Sequence, residues 1–368
     1  MVVAENPLSE NPNAILVIGP AWVGDMVMAQ VLFSLLKKQD PDCVIDVLAP
    51  AWSAPLLARM PEVRASFDMP LSHGEFGFSA RKQIGESLRG KYSQAILLPN
   101  SWKSALVPYF AGIPLRTGWL GEMRHGLLND TRKLDKSKYP LMIERFAALA
   151  MKKNSLLPAK LPHPRLVIDE EQRFAAIEKY DLPVDRPVLA LCPGAEFGPS
   201  KRWPEKHYTA VAAQKIADGL QVWIFGSEND AQVAENIRKA LPQEKRDHCR
   251  NLAGKTSLAE AIDLLSCASA VVSNDSGLMH IAAALNRPLV AVYGSSSPKF
   301  TPPLADAVEI VRTGISCSPC FKRECPYGHM KCMHELLPQQ VLDALSGLPQ
   351  AAEAQGAHTG DAVAETGA

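Results

Sequence analysis

No apolar run in the 368-residue sequence reaches the ~18 residues that a membrane-spanning helix requires. The opening stretch, Met1 to Asn13, has no basic block followed by an apolar one, so it does not read as a secretion signal. The expectation is a cytosolic chain, free to sit on a membrane surface. Net charge is missing as well: 39 Lys and Arg offset 39 Asp and Glu, which excludes a chain built throughout as a polyanion binder. Eight cysteines are too few for a disulfide framework at this length. No GxGxxG is present, which disfavours a dinucleotide-dependent dehydrogenase, and the glycine turn after the first strand, GPAWVGD (19–25), lacks the Gly-Lys-Ser/Thr ending of a P-loop, so an NTP site there is poorly supported. The only Asp-x-Asp is Asp40-Pro41-Asp42, before a strand rather than after one. It reads as turn chemistry, not as a carboxylate pair holding Mg²⁺ on a nucleotide diphosphate.

What is present is an apolar content of 47%, enough for real cores, and a length that fits two domains. From Ala14 the chain alternates short apolar runs with helix-length segments: 14–19, a helix from Gly24 to Lys38, 43–49, and a helix from Trp52. That rhythm predicts a parallel sheet covered by helices. The first helix is apolar almost all round (Met26, Val27, Met28, Val31, Leu32, Phe33), so it should be buried. A further strand is expected at 94–99, followed by an apolar segment at 105–111. The run 154–164, with three prolines, reads as a linker. Beyond it the rhythm restarts with strands at 187–194, 220–226, 269–274 and 287–294. The reading is therefore α/β, with two Rossmann-like doubly wound domains, 1–160 and 161–350, and a small, polar tail at 351–368 that reads as disordered. Ligands of such sheets bind beyond the carboxyl ends of the strands, so two facing sheets imply a central cleft suited to group transfer.

Four motifs sit at such strand ends. In GPAWVGD (19–25) a glycine turn presents Asp25 at the start of the buried helix, where it is either a helix cap or a base for a substrate hydroxyl; its place at the cleft favours the base. In PGAEFGPSKRWP (193–204), Lys201 and Arg202 are either a solvated basic loop or the cations a phosphate needs. SNDSGLMH (273–280) places Asp275, Ser276 and Gly277 at a helix start with His280 one turn in, an arrangement whose N–H groups and dipole favour an anion. FGSEND (225–230) presents Glu228 at a first turn, where an acid can hold ribose hydroxyls.

These segments, with LLPNSWKSALVPYFAGIPLRTGWLGEMRHGLLND (97–130) and NDSGLMHIAAALNRPLVAVYGSSSPKFTPP (274–303), resemble the ADP-heptose:lipopolysaccharide heptosyltransferases of glycosyltransferase family 9, in the branch that adds the second heptose. The resemblance runs from about Ala14 to Pro303. It implies a GT-B architecture with an N-terminal acceptor domain and a C-terminal ADP-heptose domain. It also implies inverting transfer of L-glycero-D-manno-heptose to the first heptose of the lipopolysaccharide inner core. By the same motifs, Asp25 would be the general base and Lys201 would meet the diphosphate and sugar. Glu228 would hold the ribose, Thr256 would lie at the adenine, Asp275 would contact the sugar, and Ser276 and Gly277 the phosphates, with His280 close behind. No cofactor or active-site metal is implied. The acceptor would be lipid A–Kdo–heptose, which places the enzyme in the cytoplasm, peripheral on the inner leaflet of the inner membrane.

Two features stand beside these motifs. Cys317, Cys320, Cys325 and Cys332, with His329 and His334, have a spacing (C-x₂-C-x₄-C-x₆-C) that matches no standard zinc module; a structural metal, reduced thiols and an occasional disulfide all remain open. The other four, Cys43, Cys192, Cys249 and Cys267, read as buried small hydrophobes. From Arg81 to Lys138 there are eleven Lys and Arg against four Asp and Glu, with Tyr92, Trp102, Tyr109, Phe110 and Trp119 among them. That composition suits a surface for a phosphorylated lipid, and an ordinary basic face is the plain alternative. The competing functions are a heptosyltransferase I-type transferase, a nucleotide-sugar epimerase of the same fold and, from another class, a zinc-dependent nucleic-acid binder, for which no recognisable module is found.

Overall fold

The computed structural model describes residues 13–71 and 74–349, so the tail expected at 351–368 lies outside the described residues. Two six-stranded sheets account for the two halves. The first holds β1 (Ala14–Ile18), β2 (Val44–Ala49), β3 (Val63–Asp68), β4 (Gln94–Leu97), β5 (Leu115–Trp119) and β6 (Asp130–Arg132), in the order β3-β2-β1-β4-β5-β6. The second holds β7 (Val188–Cys192), β8 (Gln221–Ile224), β9 (Cys249–Asn251), β10 (Ala268–Asn274), β11 (Leu289–Val292) and β12 (Val308–Val311), in the order β12-β11-β10-β7-β8-β9. Every pairing is parallel, with Ile15 opposite both Ile45 and Gln94 in the first sheet, and Leu191 opposite Val272 and Ile224 in the second. Both orders reverse beside the first strand of the half, and the crevice at such a reversal is where doubly wound sheets take ligands.

Central strands need two covered faces, and β1 and β7 are buried at all five positions. The helix Val23–Gln39 carries out its expected burial: Met26 through Phe33, Leu35 and Leu36 are withdrawn from water. Each fully buried Leu or Phe of this kind contributes about 2 kcal/mol. The helix packs against the Met142–Ala150 helix of its own half and against the Gly277–Ala284 helix of the other. One apolar core accordingly runs through both halves, from Ile15 and Met26 to Met279 and Ile281. Between Ala150 and Glu170 the chain has no helix or strand. It is nonetheless tied down: Gln30 both donates to the Arg165 carbonyl (2.7 Å) and accepts from the Arg165 N–H (2.8 Å).

The basic stretch from Arg81 to Lys138 is not one surface, which corrects the sequence reading. Arg81, Arg124 and Arg132 are buried. Arg124 donates to the carbonyls of Pro99 (2.7 Å) and Trp119, and burial pushes its guanidinium down to about 10. Arg132 donates to the carbonyls of Ala148 (2.5 Å) and Met151 (2.8 Å) and pairs with Asp130 at 2.7 Å. These arginines satisfy main-chain acceptors inside the fold, where a planar multi-donor cation serves better than an ammonium group. No helix among the described residues is long and apolar enough to cross a membrane.

Candidate active site

A cleft of about 740 Å³ lies between the halves, lined by the segments that leave the carboxyl ends of strands in both sheets. The N-terminal wall carries Trp22, Gly24, Asp25 and Trp52; the C-terminal wall carries Lys201, Thr256, Asp275, Ser276, Gly277 and His280. Seven of the eight sequence-predicted residues are thus brought together. Glu228 is the exception. It is exposed at the start of a short 3₁₀ turn and is not among the residues lining the cleft. Its carboxylate rests against Gly254, where an added Cβ would lie 2.6 Å from Oε2, so it stands two residues from Thr256 at the rim.

Asp25 is not the helix cap. Trp22 occupies that position without a side-chain cap bond, and Asp25 sits in the first turn. Burial raises its carboxyl from 3.8 to about 6, opposed by the Lys201 cation and assisted by the Asp275 carboxylate. A carboxyl at about 6 is still mostly ionised at neutral pH, yet basic enough to take a proton from an attacking hydroxyl. Lys201, at the end of a 3₁₀ turn after β7, places its Nζ 2.6 Å from Asp275 Oδ2, which follows β10. The two strands are sheet neighbours at the reversal, so this ion pair spans the switch point. The Phe197 ring lies 5.1 Å from the same Nζ and 5.4 Å from the Arg323 guanidinium.

Ser276 caps the Gly277–Ala284 helix by accepting from the Met279 N–H (3.4 Å), so its hydroxyl is engaged and the backbone N–H groups of that first turn face an incoming anion. His280 is buried, which lowers its imidazole to about 4 and keeps it neutral at physiological pH. It does not serve as a cation. Its Cδ2 would meet a Cβ on Gly24 at 2.7 Å, and a Cβ on Gly277 would meet Val23 Cβ at 2.7 Å. Two glycines therefore let the first turns of one helix from each half cross at close range, which carries Asp25 to the Lys201–Asp275 pair.

Sequence reasoning missed Asp230. Its carboxylate accepts from the N–H (3.0 Å) and hydroxyl (2.8 Å) of Ser227, pairs with Arg202 at 3.4 Å, and fills the space a Cβ on Gly194 would need. The signal was present as a Ser-x-x-Asp capping pattern in 227–230. Arg202 is thus committed to Asp230 and not to the cleft mouth. The aromatic part of the lining, Trp22, Trp52, Phe197, Phe300 and Phe321, left no spacing signal to find, because it converges from segments far apart in the sequence. Of the scattered cysteines, Cys43, Cys192 and Cys249 are buried and Cys267 is half-buried. Cys317, Cys320, Cys325 and Cys332 are unpaired and line a second, much smaller hollow. Among the described residues no group of three or more His, Cys, Asp or Glu side chains is arranged to hold a metal ion.

Two facing doubly wound sheets with a carboxylate and a cation between them are an arrangement suited to group transfer. The chain belongs to glycosyltransferase family 9 (heptosyltransferase), whose pattern matches residues 81–331. It is similar to lipopolysaccharide heptosyltransferase 2 of Escherichia coli (strain K12), 50% identical over 340 residues that cover 91% of this chain and 98% of that protein. It is also similar to lipooligosaccharide heptosyltransferase 2 of Haemophilus influenzae, at 52% over 342 residues, covering 91% and 99%. The solved structure of the E. coli ADP-heptose LPS heptosyltransferase II superposes with a TM-score of 0.83 at 49% identity, covering 90% of this chain and 97% of that one. The architecture is GT-B.

Proposed function

We propose that this protein transfers L-glycero-D-manno-heptose from ADP-heptose, with inversion, to the first heptose of the lipopolysaccharide inner core. One observation carries the assignment of roles. Asp25, delivered by the N-terminal sheet, shares a cleft with the Lys201–Asp275 pair and a helix N-terminus delivered by the C-terminal sheet. The half before about residue 160 takes the acceptor, and the half from 161 to 350 takes the donor.

In the reaction the acceptor hydroxyl oxygen attacks the anomeric carbon on the face opposite ADP. Its proton passes to Asp25, and the bond from that carbon to the β-phosphate oxygen breaks with its electron pair leaving on ADP. Negative charge therefore grows on the diphosphate as the transition state is reached. Lys201 and the N–H groups of Gly277 and its neighbours meet that charge, and fixed donors of this kind stabilise a transition state more than the ground state. Asp275 holds Lys201 in place and takes a sugar hydroxyl, while Glu228 at the rim and Thr256 beside it receive the ribose and adenine. The acceptor is lipid A–Kdo–heptose, so the enzyme works from the cytoplasmic face of the inner membrane.

The test is ADP release and product mass with ADP-heptose in the presence and absence of an acceptor bearing the first heptose. Acceptor-dependent ADP together with an acceptor one heptose heavier supports the reading. Sugar isomerisation without acceptor would replace it with an epimerase.

A further inference from the structure

The sequence has six tryptophans, and the structure divides them sharply. Trp119, Trp203 and Trp223 are buried, whereas Trp22, Trp52 and Trp102 are exposed. The exposed three sit in the loops that follow β1, β2 and β4, all on the carboxyl edge of the N-terminal sheet. The loop after β3 adds Phe76 and Phe78, 48% and 45% exposed, and the loop after β5 adds Met123, 85% exposed. Phe76 stacks on Trp102 with ring centroids 5.8 Å apart and on Phe78 at 6.0 Å, and Phe78 meets the edge of Phe110 at 5.4 Å. This ladder joins loops whose strands lie three positions apart in the sheet. A contiguous exposed aromatic patch of this kind is costly in water and marks a surface that meets an apolar partner.

The charge around the patch narrows the partner. Lys103, next to Trp102, is held with its Nζ 3.0 Å from the Glu75 carbonyl. Lys133, Lys136 and Lys138 are exposed in the loop that leaves β6 at the same edge, and that loop is tied to the β5 loop through the Arg132 carbonyl, which accepts from the Leu120 N–H at 2.5 Å. Aromatic rings flanked by lysines match the interfacial zone of an anionic bilayer, where rings enter the headgroup layer and ammonium groups stay at the phosphates. The same edge carries the site: Trp22 and Trp52, in the loops after β1 and β2, line the cleft with Asp25. The edge that reaches the bilayer is therefore the edge at which a membrane-anchored acceptor must enter.

We infer that the carboxyl edge of the N-terminal sheet docks on an anionic phospholipid bilayer by inserting Phe76, Phe78 and Trp102 among the headgroups, which holds the cleft mouth at the membrane. This rests on the proposed lipid-linked acceptor for its biological sense, but its physical content is testable without it.

The full chain is sedimented with vesicles of phosphatidylethanolamine containing phosphatidylglycerol, and with vesicles of phosphatidylcholine alone. Three variants accompany it: Phe76→Ser with Phe78→Ser and Trp102→Ser; Met123→Asp, at a position too exposed to affect folding; and Lys133→Glu with Lys136→Glu and Lys138→Glu. The wild type should bind the anionic vesicles, with its tryptophan fluorescence quenched by brominated lipid. The aromatic variant and Met123→Asp should each bind about tenfold or more weakly, and the lysine variant should lose the preference for anionic lipid. Equal binding by wild type, the aromatic variant and Met123→Asp, or no binding by the wild type, would overturn the proposal. So would light scattering that shows a dimer dispersed by Met123→Asp, which would make the patch a contact between copies. ADP release with a deacylated, soluble acceptor is measured on the same chains and should be unchanged in the aromatic variant. Its loss in every chain, wild type included, would count against the transferase reading and leave the vesicle result to decide the docking surface.

Discussion

Asp25 is held in a state that suits catalysis and costs stability, and replacing it with Asn separates the two. Burial raises its carboxyl from 3.8 to about 6, with Lys201 and Asp275 pulling in opposite directions. A shift of that size corresponds to about 3 kcal/mol against the charged form. Partial exposure of the side chain reduces this to about 1–2 kcal/mol in practice. Because the folded value lies above the unfolded one, the cost is absent below pH 3.8, grows up to about 6 and is complete above it. Asp25→Asn is neutral at every pH, so it should melt a few degrees above the wild type at pH 8 and lose that advantage near pH 4. Transfer should meanwhile fall by ~10²- to 10⁴-fold, the usual contribution of a general base, while ADP-heptose affinity by calorimetry stays close to the wild-type value. In the wild type, kcat/KM should drop on the acid side with an inflection near pH 6, a limb the Asn variant lacks. An Asn variant less stable than the wild type at pH 8 would refute the desolvation argument, and near wild-type turnover would refute the base.

Lys201→Ala should weaken ADP binding and turnover together, and it should also lower the melting temperature. It leaves the buried Asp275 carboxylate without its cation, a loss of about 3 kcal/mol; calorimetry showing unchanged ADP affinity would remove Lys201 from the diphosphate. Activity should persist in EDTA, since the growing charge is assigned to Lys201 and a helix N-terminus; complete loss restored by Mg²⁺ alone would contradict that. Gly24→Ala should strain the crossing of the two helices, because its Cβ would lie 2.7 Å from His280 Cδ2. The melting temperature and kcat should both fall, with His280→Ala in the same chain restoring the melting temperature; an unchanged melting temperature in Gly24→Ala would mean that the crossing helices have slack.

The central strands and the first helix could be read from the sequence because burial on every side leaves unbroken apolar runs, as in AILVI of β1 and VLALC of β7. The outer strands could not. β3 alternates half-buried and exposed positions, and β6 and β9 are three-residue segments, Asp-Thr-Arg and Cys-Arg-Asn, whose strand character comes from the neighbour they pair with. The same division runs through the site. Asp25, Lys201 and Gly277 announced themselves because each follows a strand through a glycine- or serine-bearing turn, and Asp275 because it stands directly at a strand end before such a turn, a local pattern with a known chemical use. Nothing local in Gly24 and His280 says that they touch, since they stand in different halves. Nor does the sequence distinguish Arg124, buried among carbonyls, from Lys133 in water, because equal formal charge carries no record of what surrounds it. By itself the sequence determined the parallel-sheet architecture and the residue types at each strand end. Tertiary structure alone decided which strand ends face one another, which cations reach solvent and which aromatics remain uncovered, because these depend on contacts between segments that the chain order keeps far apart.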